Sequence, residues 1–302
     1  MKTLAFGEVL WDIINGTEYI GGAPFNLASH LAQMGADSAM VSAVGDDERG
    51  VRALQSVKEK GVVDSYIATL PGVPTGIVEV ELDAAGKPTY VIREGSAWDS
   101  IELSETQMKA IRVEDWDIVA FGSLAQRTKN NQAILEQVLE AAAPKEVFCD
   151  VNLRLDYYSK AVISRSLKHS TILKLNDEEV PVISKLLYGE ELSDRDFCRR
   201  MTEDWNIHTT AITRGKQGAS VYRAEDYIHV PVVDVPVVDT VGAGDSFSAA
   251  FLFGFFFTHD IDKAANLASL VSSYVTSRSG AIPHYDEPVQ KAIERVHREA
   301  IE

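Results

Sequence analysis

The chain has 302 residues, of which 45% are hydrophobic, a share that is ordinary for a globular protein. Its 45 acidic and 29 basic residues give a formal net charge of −16, which argues against a nucleic-acid partner and against binding to an anionic membrane surface. The two cysteines, Cys149 and Cys198, are too few for a disulfide scaffold and predict a reduced, cytoplasmic setting.

Apolar periodicity along the chain predicts alternating strands and helices. A strand at residues 4–10 is followed by a helix at 25–34, a strand at 39–44 and a helix at 48–60. Later strands are predicted at 118–121, 147–150, 172–175 and 209–213, with helices such as 132–142 and 178–187 between them. This alternation implies an α/β fold with a mainly parallel sheet covered by helices on both faces, in one domain spanning residues 1–302.

One stretch interrupts this alternation. Residues 75–82 alternate apolar and acidic side chains, as a half-exposed strand does, and after a turn at 83–88 residues 89–93 are predicted to pair with it. The piece at 12–21 could join the same small sheet. Two interpretations stay open: a surface hairpin, or a lid formed by about 12–21 and 73–95 that excludes water from a substrate cleft. The strand edges of a lid would also favour a homodimer formed through it.

The segment Gly242-Ala243-Gly244-Asp245 lies where an apolar run at 235–238 turns into a helix-like pattern. Small residues there let the backbone approach a ligand closely, and the free N–H groups of a helix N-terminus bind anions. A carboxylate beside such an anion hole suits a hydroxyl that loses its proton while it attacks phosphorus. The alternative is a tight glycine turn with Asp245 as an ordinary N-terminal cap.

The apolar run at 247–257 belongs to the helix that follows this segment. It is shorter than the roughly 20 residues that span a bilayer. We therefore predict a buried core helix there.

The segment 239–245 resembles the C-terminal signature of the ribokinase and fructokinase family of sugar kinases. The segment 21–28, followed by Gly35 and Gly45, resembles the N-terminal signature of the same family, in the same order and at about the same spacing. At finer grain the chain is most similar to the bacterial fructokinase branch. The resemblance implies a ribokinase-like core of three α/β/α layers with a small β-sheet lid.

This resemblance also implies where the reaction takes place. Asp245 would be the catalytic base, the N–H groups of Gly242, Ala243 and Gly244 would form the anion hole, and Arg154 would assist as a cation. Carboxylates and amides bind vicinal hydroxyls well, because they accept or bridge several O–H groups at once. The residues expected to bind the sugar are Asp12, Gly22, Asn26, Gln126 and Arg93.

The phosphate side is predicted from two further segments. Asn176 and Glu179 resemble the Asn-x-x-Glu motif of the family, which helps to place Mg²⁺ and phosphate, with Glu179 acting through water. The alternative for this pair is a helix cap followed by a capping-box glutamate. The segment 150–154, which contains Arg154, resembles another family motif at the end of a strand.

The nucleotide is expected farther along the chain. The segment 213–218 resembles the nucleotide-binding turn of the family, with adenine between this turn, a strand at 232–238 and a helix near 266–273. A monovalent cation such as K⁺ is expected near Asp239 and Gly280. The residues expected to bind ATP are Asn176, Thr213, Gly215, Gly218 and Gly244.

These observations predict an ATP-dependent sugar kinase that transfers the γ-phosphoryl group to a primary hydroxyl, with D-fructose as the expected acceptor. The chain has no Gly-x4-Gly-Lys-Ser/Thr segment, which excludes a P-loop, and Phe247 stands where a dinucleotide fingerprint needs a third small residue. A 2-keto-3-deoxygluconate kinase or a nucleoside kinase remains an alternative. So does a non-catalytic sugar-binding regulator, although such a protein is expected to lose the base.

Overall fold

The computed structural model describes residues 1–82 and 88–299, and the side chains of 80–82 and 88–90 are not described. The strands are β1 (Lys2–Phe6), β2 (Leu10–Ile14), β3 (Thr17–Gly21), β4 (Asp37–Gly45), β5 (Val63–Leu70), β6 (Gly76–Leu82), β7 (Pro88–Ile92), β8 (Ile118–Gly122), β9 (Glu146–Asp150), β10 (Ile172–Asn176), β11 (Thr209–Thr213), β12 (Ala219–Arg223) and β13 (Asp226–Val230). The helices are α1 (Ala23–Gln33), α2 (Glu48–Glu59), α3 (Glu105–Val113), α4 (Lys129–Ala142), α5 (Lys160–His169), α6 (Glu179–Tyr188), α7 (Asp194–Trp205), α8 (Ala243–Thr258), α9 (Ile261–Thr276) and α10 (Glu287–Glu299).

Within the described residues the main sheet has nine strands in the order β13-β12-β11-β10-β9-β8-β1-β4-β5. All pairs from β11 to β5 are parallel, and β12 and β13 extend one edge as an antiparallel hairpin. The register pairs Gly122 with Asp150 and Asn176 with Thr213, so these strands end at the same edge of the sheet. In open parallel sheets this carboxyl edge is where ligands bind. The predicted mainly parallel sheet is confirmed.

Helices cover both faces of this sheet. On one face Val119 and Phe121 of β8 pack in a core that includes Leu135 of α4 and Ile163 of α5. On the other face Ile118 and Ala120 of the same strand belong to a second core, together with α1, α8, α9 and α10. Alternate residues of a single strand therefore face opposite helical layers, which is the predicted three-layer arrangement.

Helix α8 lies in the second of these cores, as predicted from its apolar run. Its residues from Ser246 to Phe255 are all buried, because a helix that is apolar all round has no face for solvent. None of the helices within residues 1–82 and 88–299 has the length and apolar content needed to cross a membrane. Cys149 and Cys198 are buried, free thiols, in keeping with a packing role.

A second, small sheet has the order β3-β2-β6-β7. It contains the predicted hairpin, formed by β6 and β7, and the piece at 12–21, which joins it as predicted and lies in β2 and β3. Strands β2 and β6 are parallel and join the two parts, with Leu10 opposite Gly76. The turn predicted at 83–88 falls mostly outside the described residues.

Two predicted strands were wrong. The strand at 4–10 is two strands, because the chain leaves the main sheet after Phe6 and enters the small sheet at Leu10. Val9 and Leu10 are buried at the junction, so the apolar pattern continues across the break. The strand at 232–238 does not form. Its Pro236 lacks an N–H, and Val233 and Val238 donate instead to Ser273 Oγ (3.0 Å) and to the Thr276 carbonyl (2.8 Å) of α9.

Candidate active site

The Gly242 turn begins helix α8 at the carboxyl edge of the main sheet. Gly242 has a left-handed backbone with φ 75°, and a Cβ placed on it would lie 2.6 Å from the carbonyl oxygen of Ala281 and 2.7 Å from its Cα. Both the backbone angle and the close contact therefore require glycine. The first turn of α8 presents N–H groups without intrahelical acceptors, which is an anion-binding arrangement.

Asp245 is in that first turn and is half-buried, and Asn26 of α1 donates to its Oδ2 at 2.8 Å. Burial raises the pKa of Asp245 to about 6, while the Asn26 hydrogen bond and the charges of Lys174 and Arg154 act in the opposite direction. The structure thus joins the two sequence signatures in one contact between residues 219 positions apart. A carboxylate with this pKa is ionised at neutral pH and can accept a proton.

Three more groups of the sugar side lie near Asp245. Asp12, on β2, is half-buried, and Glu8, in the junction between the sheets, is fully buried. The pKa of Asp12 is raised to about 6 and that of Glu8 to about 7, mainly by burial and in part by the negative charge of Asp245. The Oδ1 atom of Asn26 is buried, and no donor contacts it among the described residues, so it is free to accept a substrate hydroxyl. Gly22, the N-terminal cap of α1, packs against the Glu8 backbone.

The first turn of α8 borders two cavities: Asp245 lines the smaller one, and Ala243 and Gly244 line the larger one. A small cavity, on the side of α1, is lined by Glu8, Pro24, Asp150 and Asp245 among others. A larger cavity of about 550 Å³ lies on the other side of the Gly242 turn. Its lining residues include Thr213, Gly215, Gly218, Val233, Ala243, Gly244 and Ser272. The structure therefore brings the predicted nucleotide residues Thr213, Gly215, Gly218 and Gly244 to one cavity, and Asp245 follows Gly244 directly in the chain.

Glu179 and Asn176 hold each other as a capping box. Asn176 ends strand β10 rather than beginning a helix, and its Oδ1 accepts the N–H of Glu179 at 2.9 Å. Glu179 Oε2 accepts the N–H of Asn176 at 2.8 Å, and its Oε1 accepts that of Leu153 at 2.7 Å. Both carboxylate oxygens are therefore engaged by backbone donors, which fits contact with Mg²⁺ through water better than direct ligation. Burial raises the pKa of this carboxyl.

Glu179 thereby fixes the loop that carries Arg154. This loop contains two non-glycine residues with positive φ, Asn152 (42°) and Leu155 (47°), and such backbone persists only where its surroundings hold it. Arg154 itself is exposed, and its charge lowers the pKa values of Glu8, Asp12 and Asp245. It therefore faces the carboxylates of the site, as expected for a cation that approaches a phosphoryl group.

Lys174 is a site residue that the sequence analysis missed. It is only 7% exposed, and its Nζ lies 2.9 and 3.1 Å from the two carboxylate oxygens of Asp150. Burial lowers the pKa of Lys174, but the charges of Asp150, Glu179 and Asp245 raise it more, so the ammonium form is favoured. A Cβ on Gly244 would lie 3.1 Å from this Nζ, which places a cation against the Gly242 turn. The sequence gives one indication of this role, namely a lysine within the otherwise apolar strand predicted at 172–175. A lysine is almost never fully buried unless it is paired with an opposite charge.

The structure directs two predicted sugar residues, Gln126 and Arg93, to other contacts, and it places Asp239 where it was expected. Gln126 is fully buried and its amide nitrogen donates to the Gly122 carbonyl (2.9 Å) and to Ser166 Oγ (2.8 Å), so that nitrogen is engaged in the core. Arg93, at the end of β7, pairs with Glu79 of the small sheet at 3.0 Å. Asp239 lies beside Gly280, as expected, and its Oδ2 accepts the Gly280 N–H at 3.2 Å.

The sequence profile of the pfkB family carbohydrate kinases matches residues 2–288. The chain belongs to this family. It is therefore a sugar kinase, and the match covers residues 2–288 of its 302 residues. The uncharacterized sugar kinase of Pyrococcus horikoshii is 30% identical over 305 residues, covering 94% of this chain and 93% of the relative. The fructokinase of Escherichia coli is 28% identical over 240 residues, covering 78% and 76%.

Solved structures agree with this assignment. The ATP complex of the P. horikoshii protein has a TM-score of 0.83 at 27% identity, covering 98% of this chain and 100% of that one. The fructokinase of Vibrio cholerae with fructose, ADP and calcium has a TM-score of 0.81 at 21% identity, covering 97% and 98%, and this likeness concerns the fold. The predicted ribokinase-like fold, with its separate small sheet, is confirmed, and the enzyme is a carbohydrate kinase that uses ATP.

Proposed function

We propose that the enzyme is a fructokinase, which transfers the γ-phosphoryl group of ATP to a primary hydroxyl of D-fructose. The observation that carries this proposal is the position of Asp245, which lines the small cavity, is held by Asn26, and directly follows Gly244 in the lining of the larger cavity. Asp245 accepts the hydroxyl proton as the sugar oxygen bonds to the γ-phosphorus, and the bond from that phosphorus to the bridging oxygen breaks, releasing ADP. The N–H groups of the Gly242 turn stabilise the charge on the transferring oxygens.

ATP is proposed to occupy the cavity of about 550 Å³, with its phosphates toward Gly244. The exposed side chains of Val232, Val233 and Val237 offer an apolar wall for the adenine. Asn176, Thr213, Gly215 and Gly218 would contact the nucleotide, and Arg154 would approach the γ-phosphoryl group. Mg²⁺ neutralises charge on the phosphates when bound, and Glu179 would meet it through water. K⁺ near Asp239 and Gly280 remains a prediction.

The charges around the sugar side favour a neutral sugar over a sugar acid. Asp12 and Asp245, whose pKa values are about 6, are ionised at neutral pH and would repel the carboxylate of 2-keto-3-deoxygluconate. Among the arginines near the sugar side, Arg154 is assigned to the γ-phosphoryl group, and Arg93 and Arg127 are already paired with carboxylates. Arg93 pairs with Glu79, and Arg127 pairs with Asp99 at 2.6 Å while it stacks between Trp98 and Tyr157. The proposed sugar ligands are Asp12, Asn26 and the backbone at Gly22.

A coupled assay of ADP release across sugars, sugar acids and nucleosides tests this proposal. We expect D-fructose to give the highest kcat/KM, because each well-placed hydroxyl contact to a charged group contributes roughly 1.5–3 kcal/mol. Phosphorylation of a nucleoside or of 2-keto-3-deoxygluconate at least about tenfold more efficient than that of fructose would overturn the choice of sugar. If no compound stimulates ADP release, a non-catalytic sugar-binding protein becomes the better description.

We also propose that the small sheet (β3-β2-β6-β7) is a lid over the sugar and the contact of a homodimer. Asp12 stands on this sheet, so a bound sugar would touch it directly. We expect added fructose to slow amide hydrogen exchange in β2 and β6 more than in helix α7, which packs on α5, α6 and β11. Equal slowing in α7 and the small sheet, or no slowing, would contradict the lid. Sedimentation of the enzyme gives its oligomeric state.

A further inference from the structure

The segment 280–285, which we call the strap, runs between α9 and α10 and is held by side chains along its length. Five consecutive carbonyls, from Ala281 to Tyr285, each accept a hydrogen bond from a side chain of a surrounding helix. The donors, in strap order, are His30 Nε2 (2.9 Å), Lys60 Nζ (2.9 Å), Gln33 Nε2 (3.1 Å), the Tyr274 hydroxyl (2.6 Å) and Gln290 Nε2 (2.9 Å). Most loops leave such carbonyls to water, so this connection is unusually fixed.

The start of the strap contacts the Gly242 turn. The carbonyl oxygen and Cα of Ala281 lie where a side chain on Gly242 would stand, at 2.6 and 2.7 Å from the Cβ position. One residue earlier, the N–H of Gly280 donates to Asp239, whose other oxygen accepts the N–H of Val241. The strap is therefore joined to this turn at two points, through Gly280 to Asp239 and through Ala281 next to Gly242.

His30 holds the strap at this contact. Its ring is fully buried, with Nε2 at 2.9 Å from the Ala281 carbonyl and Nδ1 at 2.6 Å from the Tyr285 hydroxyl. A carbonyl can only accept, so Nε2 carries the hydrogen and Nδ1 accepts from the tyrosine. Burial lowers the pKa of His30 to about 4, which keeps the ring neutral and this arrangement intact at neutral pH.

His30 also lies one turn after Asn26 on α1, and the two residues act on opposite parts of the same site. Asn26 fixes the carboxylate of Asp245, and His30 fixes the carbonyl of Ala281 against Gly242. Helix α1 thus holds the base with one side chain and the anion hole with another. A rigid helix is a suitable template, because reacting groups must be placed to within a fraction of an ångström.

We propose that His30 is a positioning residue of the phosphoryl transfer, which sets the anion hole relative to Asp245 through the strap. This inference depends on the proposed role of the Gly242 turn in catalysis, but not on the identity of the sugar. His30 contacts the strap at Ala281 and lines neither cavity. Its loss should therefore weaken stabilisation of the transition state and leave substrate binding largely unchanged.

The test compares His30→Leu with Gln290→Leu, since each removes one side-chain donor from a strap carbonyl, the first beside Gly242 and the second at the far end. We expect His30→Leu to lower kcat about tenfold to a hundredfold with the sugar KM within about threefold of wild type. Gln290→Leu should keep kcat within about twofold. Each variant is assayed with whichever sugar the wild type phosphorylates best. The assays are run in potassium chloride, which supplies the K⁺ predicted near Asp239, and in choline chloride, which does not, and the variants are compared within each salt.

Two further measurements separate positioning from general loss of stability. Inhibition by ADP with aluminium fluoride, which imitates the transferring phosphoryl group, should weaken in His30→Leu while ADP binding stays unchanged. His30→Gln, which can still donate to Ala281, should recover part of the lost kcat, and it serves as the variant to score if His30→Leu does not fold. A kcat within twofold of wild type in His30→Leu, or equal losses in His30→Leu and Gln290→Leu, would overturn the proposal. A wild type that phosphorylates no substrate would instead overturn the proposed function.

Discussion

Replacing Asp245 with asparagine is expected to lower kcat by about 10²–10⁴, the usual contribution of a positioned general base. Asparagine keeps the size of the side chain and can still face Asn26, but it cannot accept the hydroxyl proton. Sugar affinity, measured by calorimetry, should change little, because Asp12 and Asn26 lie on other elements. Asp12→Asn is the matched control, since it neutralises a second carboxylate of the site and should act mainly through the sugar KM.

The same assignment predicts the pH dependence. Only the ionised carboxylate accepts a proton, so kcat/KM should be highest above the pKa of about 6 and fall as the pH decreases through it. Asp12 and Glu8 have pKa values in the same range. The acidic limb of the plot of kcat/KM against pH therefore reports the three carboxyl groups together. Asn26→Ala removes a hydrogen bond that lowers the pKa of Asp245, and should move the limb to higher pH. Near-normal turnover in folded Asp245→Asn would exclude Asp245 as the base.

The fold could be predicted wherever one periodicity governed a whole element. The parallel strands and helix α8 follow from runs of apolar residues, and the small sheet follows from alternation. The prediction from sequence failed where apolar residues do not belong to one continuous strand. Val9 and Leu10 are buried between two sheets, so their pattern conceals the break after Phe6. Four of the five valines of 232–238 line a cavity, all except Val238, and the backbone of the segment is held by α9.

The site could be predicted only through its resemblance to a known family. Periodicity alone gives no reason for Asn26 and Asp245 to meet, since their contact depends on how α1 and α8 pack. Lys174 was missed for a related reason: a strand pattern does not show that Asp150 lies on the adjacent strand and compensates its charge. For Asn176 and Glu179 both interpretations remain compatible, because a capping box also places the loop that carries Arg154.

Replacing Gly242 with alanine is expected to lower kcat by about 10²–10³, comparable with the loss of one donor from an oxyanion hole. The added Cβ would meet the Ala281 carbonyl oxygen, Cα and Cβ at 2.6, 2.7 and 2.8 Å. Two of these atoms are backbone, and the strap that contains them is held by side chains, so the turn itself has to move. The N–H groups of Gly242 and Gly244, which are proposed to bind the transferring oxygens, would then be displaced, as would that of Ala243, which donates to the Thr240 carbonyl at 3.3 Å in the free enzyme.

Gly189→Ala separates this effect from the general cost of a left-handed alanine. Gly189 ends helix α6 with φ 80°, close to the 75° of Gly242, and nothing lies within 4 Å of its Cβ position. Its replacement should lower the free energy of unfolding by roughly 1–2 kcal/mol and leave kcat unchanged. Gly242→Ala adds the collision with Ala281 to the same backbone cost, so the difference in kcat between the two variants measures the displaced anion hole. Equal kcat values in the two variants would show that the N–H groups of this turn do not stabilise the transferring phosphoryl group.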